Sequence, residues 1–416
     1  MTSEPVSAVA PGSDVPADSS PAATAGPRFP IIDGLRVVAM FMVLVLHADA
    51  SSVVNTTGVV HDILGRADAA VPVFLMISAF LLFRPVVLAY IDDSPPPRLM
   101  PYLGRRLVRI YPGYWFILLI LVLIDAVELS TLRDYVLAIT LLYPLVESPF
   151  VGGAFSGLGQ TWAVFLLFQL YILIPVLGVL FRRILPKGPA RDEAVGDGWF
   201  DVAPPGLTGM LGWTFGLTAA GFAFRSILAF GTAGNELNLV VYLPFWLDVT
   251  APGLAMAVLV AANERDVPLP APLRWLGRHP LAGWLAALVF YAAITRVSIP
   301  EGIGNLGPEY SLRYVAYAGF STALVATAVV TTADRGLVAQ VLASSVMGWL
   351  SALSVGFFVS HLGIMGRVEE WLGYEPFRAE VLPLILITTP LAVLVALAAN
   401  RFAERPAVAL TRRYLR

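Results

Sequence analysis

The sequence predicts an all-α protein, a polytopic membrane bundle of about ten transmembrane helices plus one short re-entrant or interfacial segment. Three observations carry that reading. Hydrophobic residues make up 57% of the chain and charged residues only 13%, where soluble proteins carry about 25%. The mean hydropathy is +0.76. The apolar residues also gather into runs close to the twenty or so residues that a helix needs to cross a hydrocarbon core about 30 Å thick. Composition excludes other classes. The absence of cysteine removes disulfides, thiolate nucleophiles and thiolate metal sites. Four histidines without an HExxH spacing give no reason to expect a metal. A net charge of -2, with no basic run, offers nothing to nucleic acid.

Residues 1–27 are Ala, Pro, Ser, Gly and Asp without apolar periodicity, which reads as a disordered cytoplasmic tail and not as a signal peptide. One membrane domain follows over 28–406, and 407–416 form a short basic tail. Apolar runs fall near 35–54, 69–91, 110–129, 133–146, 160–181, 208–230, 238–262, 279–297, 312–332, 342–366 and 381–402. Arginine-rich connections at Arg98–Arg109, Arg182–Arg191, Arg265–Arg278 and beyond Arg401 alternate with loops poor in basic residues. Placing every basic loop in the cytoplasm requires the third and fifth runs to cross in opposite directions. The fourth, short and headed by Arg133-Asp134, therefore turns back on the outer side. Ten crossings remain, both termini are cytoplasmic, and 186–206 is a cytoplasmic linker.

The first run places Arg36 at its mouth and His47 eleven residues later. That is about 16 Å along a helix and nearly the same face, which sets the histidine near the bilayer midplane. Ionisable groups in a span line internal pathways or bond to neighbouring helices. Arg106 and Arg109 are three apart on one face at the start of the third run. With Arg105 they read either as positive-inside anchors or as a cradle for a polyanion at the boundary. In the second run Ser78-Ala79 allows close helix packing. Trp162 opens the fifth run as an interface anchor, and Gln169, deep within it, bonds to another helix or to substrate. Ser354 and His361, seven apart, share a face of the tenth run, with the histidine in the outer half. Two histidines at different depths suggest a polar passage; a helix-bridging hydrogen bond gives the same pattern.

These motifs, in this order, resemble the acyltransferase-3 family of membrane proteins. Arg36-x10-His47 resembles its first-helix signature, and Phe74 to Leu82 its "FFxISGFLL" helix, with Ala79 in place of glycine. Arg106-x-x-Arg109-Ile110-x-Pro112, Ser354 to His361, and Glu404-x-Pro406 resemble its third-helix, "SxxxYxxH" and terminal "ExP" motifs. One position departs: Leu167 stands where the fifth-helix motif has glutamate. The resemblance is to the stand-alone membrane domain without an esterase-like extension. It implies an O-acyltransferase of the bacterial inner membrane. The co-substrate is acetyl-CoA or another acyl-CoA, and the acceptor a hydroxyl of an extracytoplasmic cell-envelope glycan or glycolipid, or of a small secondary metabolite. His47 is then the general base or a transient acyl carrier, assisted by Arg36. Arg105, Arg106 and Arg109 bind the coenzyme. Ser78, Trp162, Gln169, Ser354 and His361 line the acceptor side. The competing class is a transporter or flippase with a His/Arg-lined pathway.

Overall fold

In the computed structural model the described residues are 29–96, 98–146, 156–186, 199–231, 236–297 and 308–414. The tail over 1–27 and most of the linker over 186–206 lie outside them. Sixteen helices follow one another, with no strand among the described residues. They are α1 (Pro30–Ala50), α2 (Gly58–Leu64), α3 (Ala70–Ile91), α4 (Leu99–Leu123), α5 (Leu132–Thr140), α6 (Trp162–Ile184), α7 (Trp199–Val202) and α8 (Pro205–Gly231). Next come α9 (Leu247–Asn263), α10 (Ala271–Arg278), α11 (Pro280–Arg296), α12 (Pro308–Val330), α13 (Leu337–Leu342), α14 (Ser345–Trp371), α15 (Val381–Ala399) and α16 (Arg405–Tyr414). Among the described residues nine helices are long and apolar enough to cross a membrane, and α11, with 17 residues, is the tenth apolar helix. The basic segment after residue 404 is itself helical, as α16.

Helix α1 is the seam of the bundle. Ile31, Ile32, Leu35, Ala39 and Val43 belong to one buried cluster with α3, α6, α9 and α12. Val37, Met40, Leu44 and Ala48 belong to a second with α4, α14 and α15. Gly34 lets α1 touch the backbone of α13, because a Cβ there would collide with the Leu342 carbonyl. Each cluster is continuous across several helices, so α1 is held on both sides by packing contacts and not by its own propensity.

Three contacts fix the direction of α14 relative to α1. Asp33 Oδ1 accepts from Ser351 Oγ at 3.3 Å, the rings of Phe41 and Phe357 lie 5.7 Å apart, and His47 meets His361 at 2.9 Å. Residue numbers rise together along both helices, so the two run parallel. Seven long helices (α3, α4, α6, α8, α9, α11, α12) lie between them in sequence. Parallel α1 and α14 follow if each of the seven crosses and α5 does not.

The short segment folds back along α4. Nine residues of helix reach only about 13 Å. Thr131 caps the start of α5, its hydroxyl accepting from Asp134 N while the Asp134 carboxylate accepts from Thr131 N at 2.8 Å. A helix that ends inside a bilayer leaves carbonyls without water. Here α4 supplies donors: Tyr114 Oη to Ala138 O at 2.6 Å, Trp115 Nε1 to Ile139 O at 3.0 Å and Tyr111 Oη to Thr140 O at 2.9 Å. Leu141 then turns in the left-handed region at φ 57°, and Leu141 N and Leu142 N close on Ala138 O and Leu137 O. Tyr114 is nine residues from the end of α4, so α5 dips about 13 Å before turning. The segment that loop charge singled out thus folds back along α4, and the aromatic donors of α4 take its terminal carbonyls.

At the end where α1 begins, hereafter the near end, ionic staples tie the helices. Arg84 of α3 binds Glu264 at the end of α9 through two hydrogen bonds, one of them 2.6 Å. Arg265 grips Asp92 at 2.7 and 2.6 Å, and the guanidinium holds that carboxyl below the usual carboxylate range. The helix α4 starts at Leu99, well before its apolar run, so Arg105 to Arg109 are helical and not part of a loop.

Because the chain has no cysteine, single introduced cysteines report its sidedness cleanly. Ser94→Cys and Arg183→Cys are expected to react with an impermeant maleimide from one side of sealed vesicles, and Asp62→Cys and Glu128→Cys from the other. Arg183→Cys reacting together with Glu128→Cys would mean that α5 crosses.

Candidate active site

The site is built where α1 and α14 meet. His361 is fully buried, and its Nδ1 lies 2.8 Å from Phe358 O and 3.3 Å from Phe357 O. Carbonyl oxygens only accept, so Nδ1 carries the hydrogen. In a neutral ring Nε2 is then an acceptor, and it faces His47 Nδ1 at 2.9 Å. His47 must therefore donate from Nδ1, which leaves its Nε2 with a bare lone pair. The two rings are nearly parallel, at 7°, with centroids 5.1 Å apart. Phe357 continues the stack on His361 at 5.8 Å. His47 itself is only half-buried, so the ring is held from one side and open on another. One expectation changes here: the two histidines share one depth, not two, His47 from the last turn of α1 meeting His361 well inside the longer α14. The helix begins at Pro30, earlier than the apolar run, and ends at Ala50, which moves the histidine toward the far end.

The arginines converge at the near side of the same helix. Arg106 lies over two phenol rings, 5.3 Å from that of Tyr102 and 5.9 Å from that of Tyr171. Tyr171 of α6 is within electrostatic reach of Arg106, Arg109 and Arg36 together, and Arg36 is within reach of Arg109. Asp33, 3.9 Å from Arg36, and Glu404, near Arg109 and bonded to Asn400 at 3.0 Å, are the counter-charges. Gly113 allows α4 to approach that carboxylate, which would meet any Cβ at the position. Arg105 is exposed on the same helix. Three guanidinium groups against two carboxylates leave the cluster net positive, a setting suited to phosphates.

Residues 29–401 match the acyltransferase-3 family, described as an acyltransferase domain. The chain belongs to the acyltransferase-3 family. It is a multi-pass membrane acyltransferase that transfers groups other than amino-acyl groups. No curated protein and no solved structure matches it.

Within this acyltransferase the remaining sequence candidates fall in different places. Ser78 sits half-buried on α3, one turn beyond Phe74, whose ring meets Phe358 at 6.0 Å. Ser354 turns its hydroxyl back to Ser351 O at 2.8 Å within α14. Trp162 is 9% exposed and stacks on Trp246 at 5.6 Å. Gln169 bonds at both ends of its amide, to Val241 O at 2.7 Å and from Leu243 N at 2.9 Å, and so pins the chain that leads into α9. Leu167 packs against the larger buried cluster. The sequence reading missed Tyr102 and Tyr171, the phenols that gather the arginines. It also missed the role of Gln160, which donates to Val359 O at 2.6 Å beside His361. The signal for Tyr171 was its three-residue spacing from Phe168, whose ring stacks on Tyr111 at 5.6 Å.

With only four histidines, nitrogen NMR of ¹⁵N-histidine-labelled enzyme resolves the tautomers. His47 and His361 are both expected as Nδ1–H forms, and His361→Phe is expected to release His47 from that state. A His47 ring protonated at Nε2 in the unmodified enzyme would reverse the assignment.

Proposed function

We propose that this enzyme moves an acetyl group from acetyl-CoA to the hydroxyl of an extracytoplasmic acceptor, with His47 as general base. The observation that carries the reading is the hydrogen bond that His47 Nδ1 donates to His361 Nε2, which leaves His47 Nε2 as the basic atom. A hydroxyl attacks a thioester only as its proton leaves, and neutral imidazole suits that task near pH 7. His47 Nε2 takes the hydroxyl proton as the oxygen bonds to the acyl carbon. The same nitrogen returns the proton to the departing thiolate sulfur, so the imidazole ends neutral. His361 keeps the ring in the productive tautomer throughout.

Arg106 and Arg109, with Arg36 and Tyr171 beside them, bind the coenzyme phosphates at the near end. The concentration of arginine there supports a cytoplasmic near end by the positive-inside rule, and with it a bacterial inner membrane with both termini inside. The α1 axis separates Arg36 from His47 by about 16 Å, the scale of an extended pantetheine arm. The acceptor is an envelope sugar or glycolipid reaching His47 from the far end.

The test uses purified enzyme in liposomes with radiolabelled acetyl-CoA and an envelope extract. His47→Ala is expected to lower kcat/KM by about 10²–10⁴, and full retention of transfer would end the assignment. Arg106→Gln or Arg109→Gln is expected to raise the KM for acetyl-CoA by about tenfold with little change in kcat, as loss of a charged hydrogen bond does. Label that accumulates on His47 without acceptor would replace the general base with an acyl-histidine carrier.

A further inference from the structure

At the far end, beside the last turn of α1, lies a second group of charges that the transfer step leaves unused. Asp68, in the single 3₁₀ turn (Ala67–Ala69) just before α3, accepts from Tyr317 Oη of α12 at 2.5 Å. Arg313, one turn earlier on α12, is 3% exposed. Arg66, just before Asp68, is half-buried. Both guanidinium groups act electrostatically on Asp68, yet among the described residues neither has a hydrogen bond or an ion pair within 4.0 Å. The Nε of each is sealed and unpartnered, as is Asp68 Oδ1. The terminal nitrogens of both arginines are not sealed in this way, so what solvent access remains lies at the ends of the forks. Asp49, two residues beyond His47, is also within reach of Arg66, and its Oδ2 contacts His61 Nδ1 at 2.8 Å. The far-end ring of charge is therefore Asp49, Asp68, Arg66 and Arg313, with His61 and Tyr291 beside it.

Burying guanidinium N–H groups without hydrogen bonds is unfavourable even where carboxylates balance the charge, so the unmet donors of Arg313 and Arg66 are not a stabilising device. The four formal charges cancel, so the site has no net pull on an anion. What is unmet is hydrogen bonding, and the surplus is of donors. We infer that Arg66 and Arg313, flanking Asp68 and Tyr317, form a binding subsite for a neutral, oxygen-rich ligand such as a sugar ring, and that it gives anionic ligands no preference. Arginine N–H groups take the ligand's ether and hydroxyl oxygens, and because Asp49 and Asp68 already balance the two guanidinium groups, an added negative charge gains no net attraction. The subsite lies at the end of the bundle where α1 brings His47, so under the proposed transfer reaction it seats the acceptor; that role rests on the reaction above.

Binding is measured without any thioester, so the result stands apart from the fate of the transfer reaction. Purified full-length enzyme in detergent is titrated with methyl glucoside and myo-inositol as neutral probes and with glucuronate as the anionic one, following thermal shift and calorimetry. Saturable stabilisation by a neutral probe is expected, with glucuronate binding no more tightly. Arg313→Gln and Asp68→Asn are expected to weaken the neutral probe by about tenfold or more. Tyr317→Phe and Arg66→Gln remove less and serve if the first pair fails to fold. Binding by no neutral probe, equal binding in all four variants, or tighter binding of glucuronate would each overturn the subsite. Under turnover, the acceptor KM is expected to rise in these variants while the acetyl-CoA KM stays within about twofold, a split that general loss of structure would not produce.

Discussion

One hydrogen bond, from His47 to His361, organises the rest of the molecule. Inside an apolar bundle a polar ring must find a partner, and its neighbour decides which nitrogen keeps the lone pair. The partner's own ring is fixed by two backbone carbonyls of α14, so the choice of tautomer is ultimately made by the local geometry of that helix at Phe357 and Phe358. A helix whose carbonyls were fully occupied by its own amides would hold the ring more weakly. The pairing thus couples a backbone feature of one helix to the reactivity of a side chain on another.

That bond is one of three contacts along which α1 and α14 run in the same direction. The direction depends on how many helices cross between them, and so on the refusal of α5 to cross. Tyr111, Tyr114 and Trp115 make that refusal tolerable by taking the carbonyls that a truncated helix leaves bare. Three aromatic donors far from the histidines are in this sense preconditions of the site. The same α1 carries Arg36 near its start and His47 in its last turn, while being packed on both sides. It links a basic cluster at one end to a charge-balanced cluster at the other.

Much of this was legible in the sequence, for reasons that can be named. Helix periodicity put Arg36 and His47 on one face, and loop charge identified the segment that turns back. The order of short motifs pointed to the family that the match over residues 29–401 then established. Depth was less legible, because an apolar run does not mark where its helix begins: α1 starts at Pro30 and α4 at Leu99, each before the hydrophobic pattern. Partners across helices were not legible at all. Nothing local to Gln169 says that both ends of its amide hold the chain before α9, and nothing local to Arg313 says that it stands beside Asp68 with its donors unmet. Tyr171 looked like an ordinary aromatic in an apolar helix until α4 brought Arg106 and Arg109 against it.

Under the proposed transfer, one imidazole is reached by a coenzyme from the arginine end while its other nitrogen is held by His361. The most direct test is a structure of the enzyme with a non-hydrolysable acetyl-CoA analogue. The expected result places the analogue's phosphates against Arg106 and Arg109 and its acyl carbon close enough for an acceptor oxygen, about 3–3.5 Å away, to lie also within hydrogen-bond reach of His47 Nε2. Phosphates bound at the opposite end of the bundle, or an acyl group that never reaches His47, would contradict it.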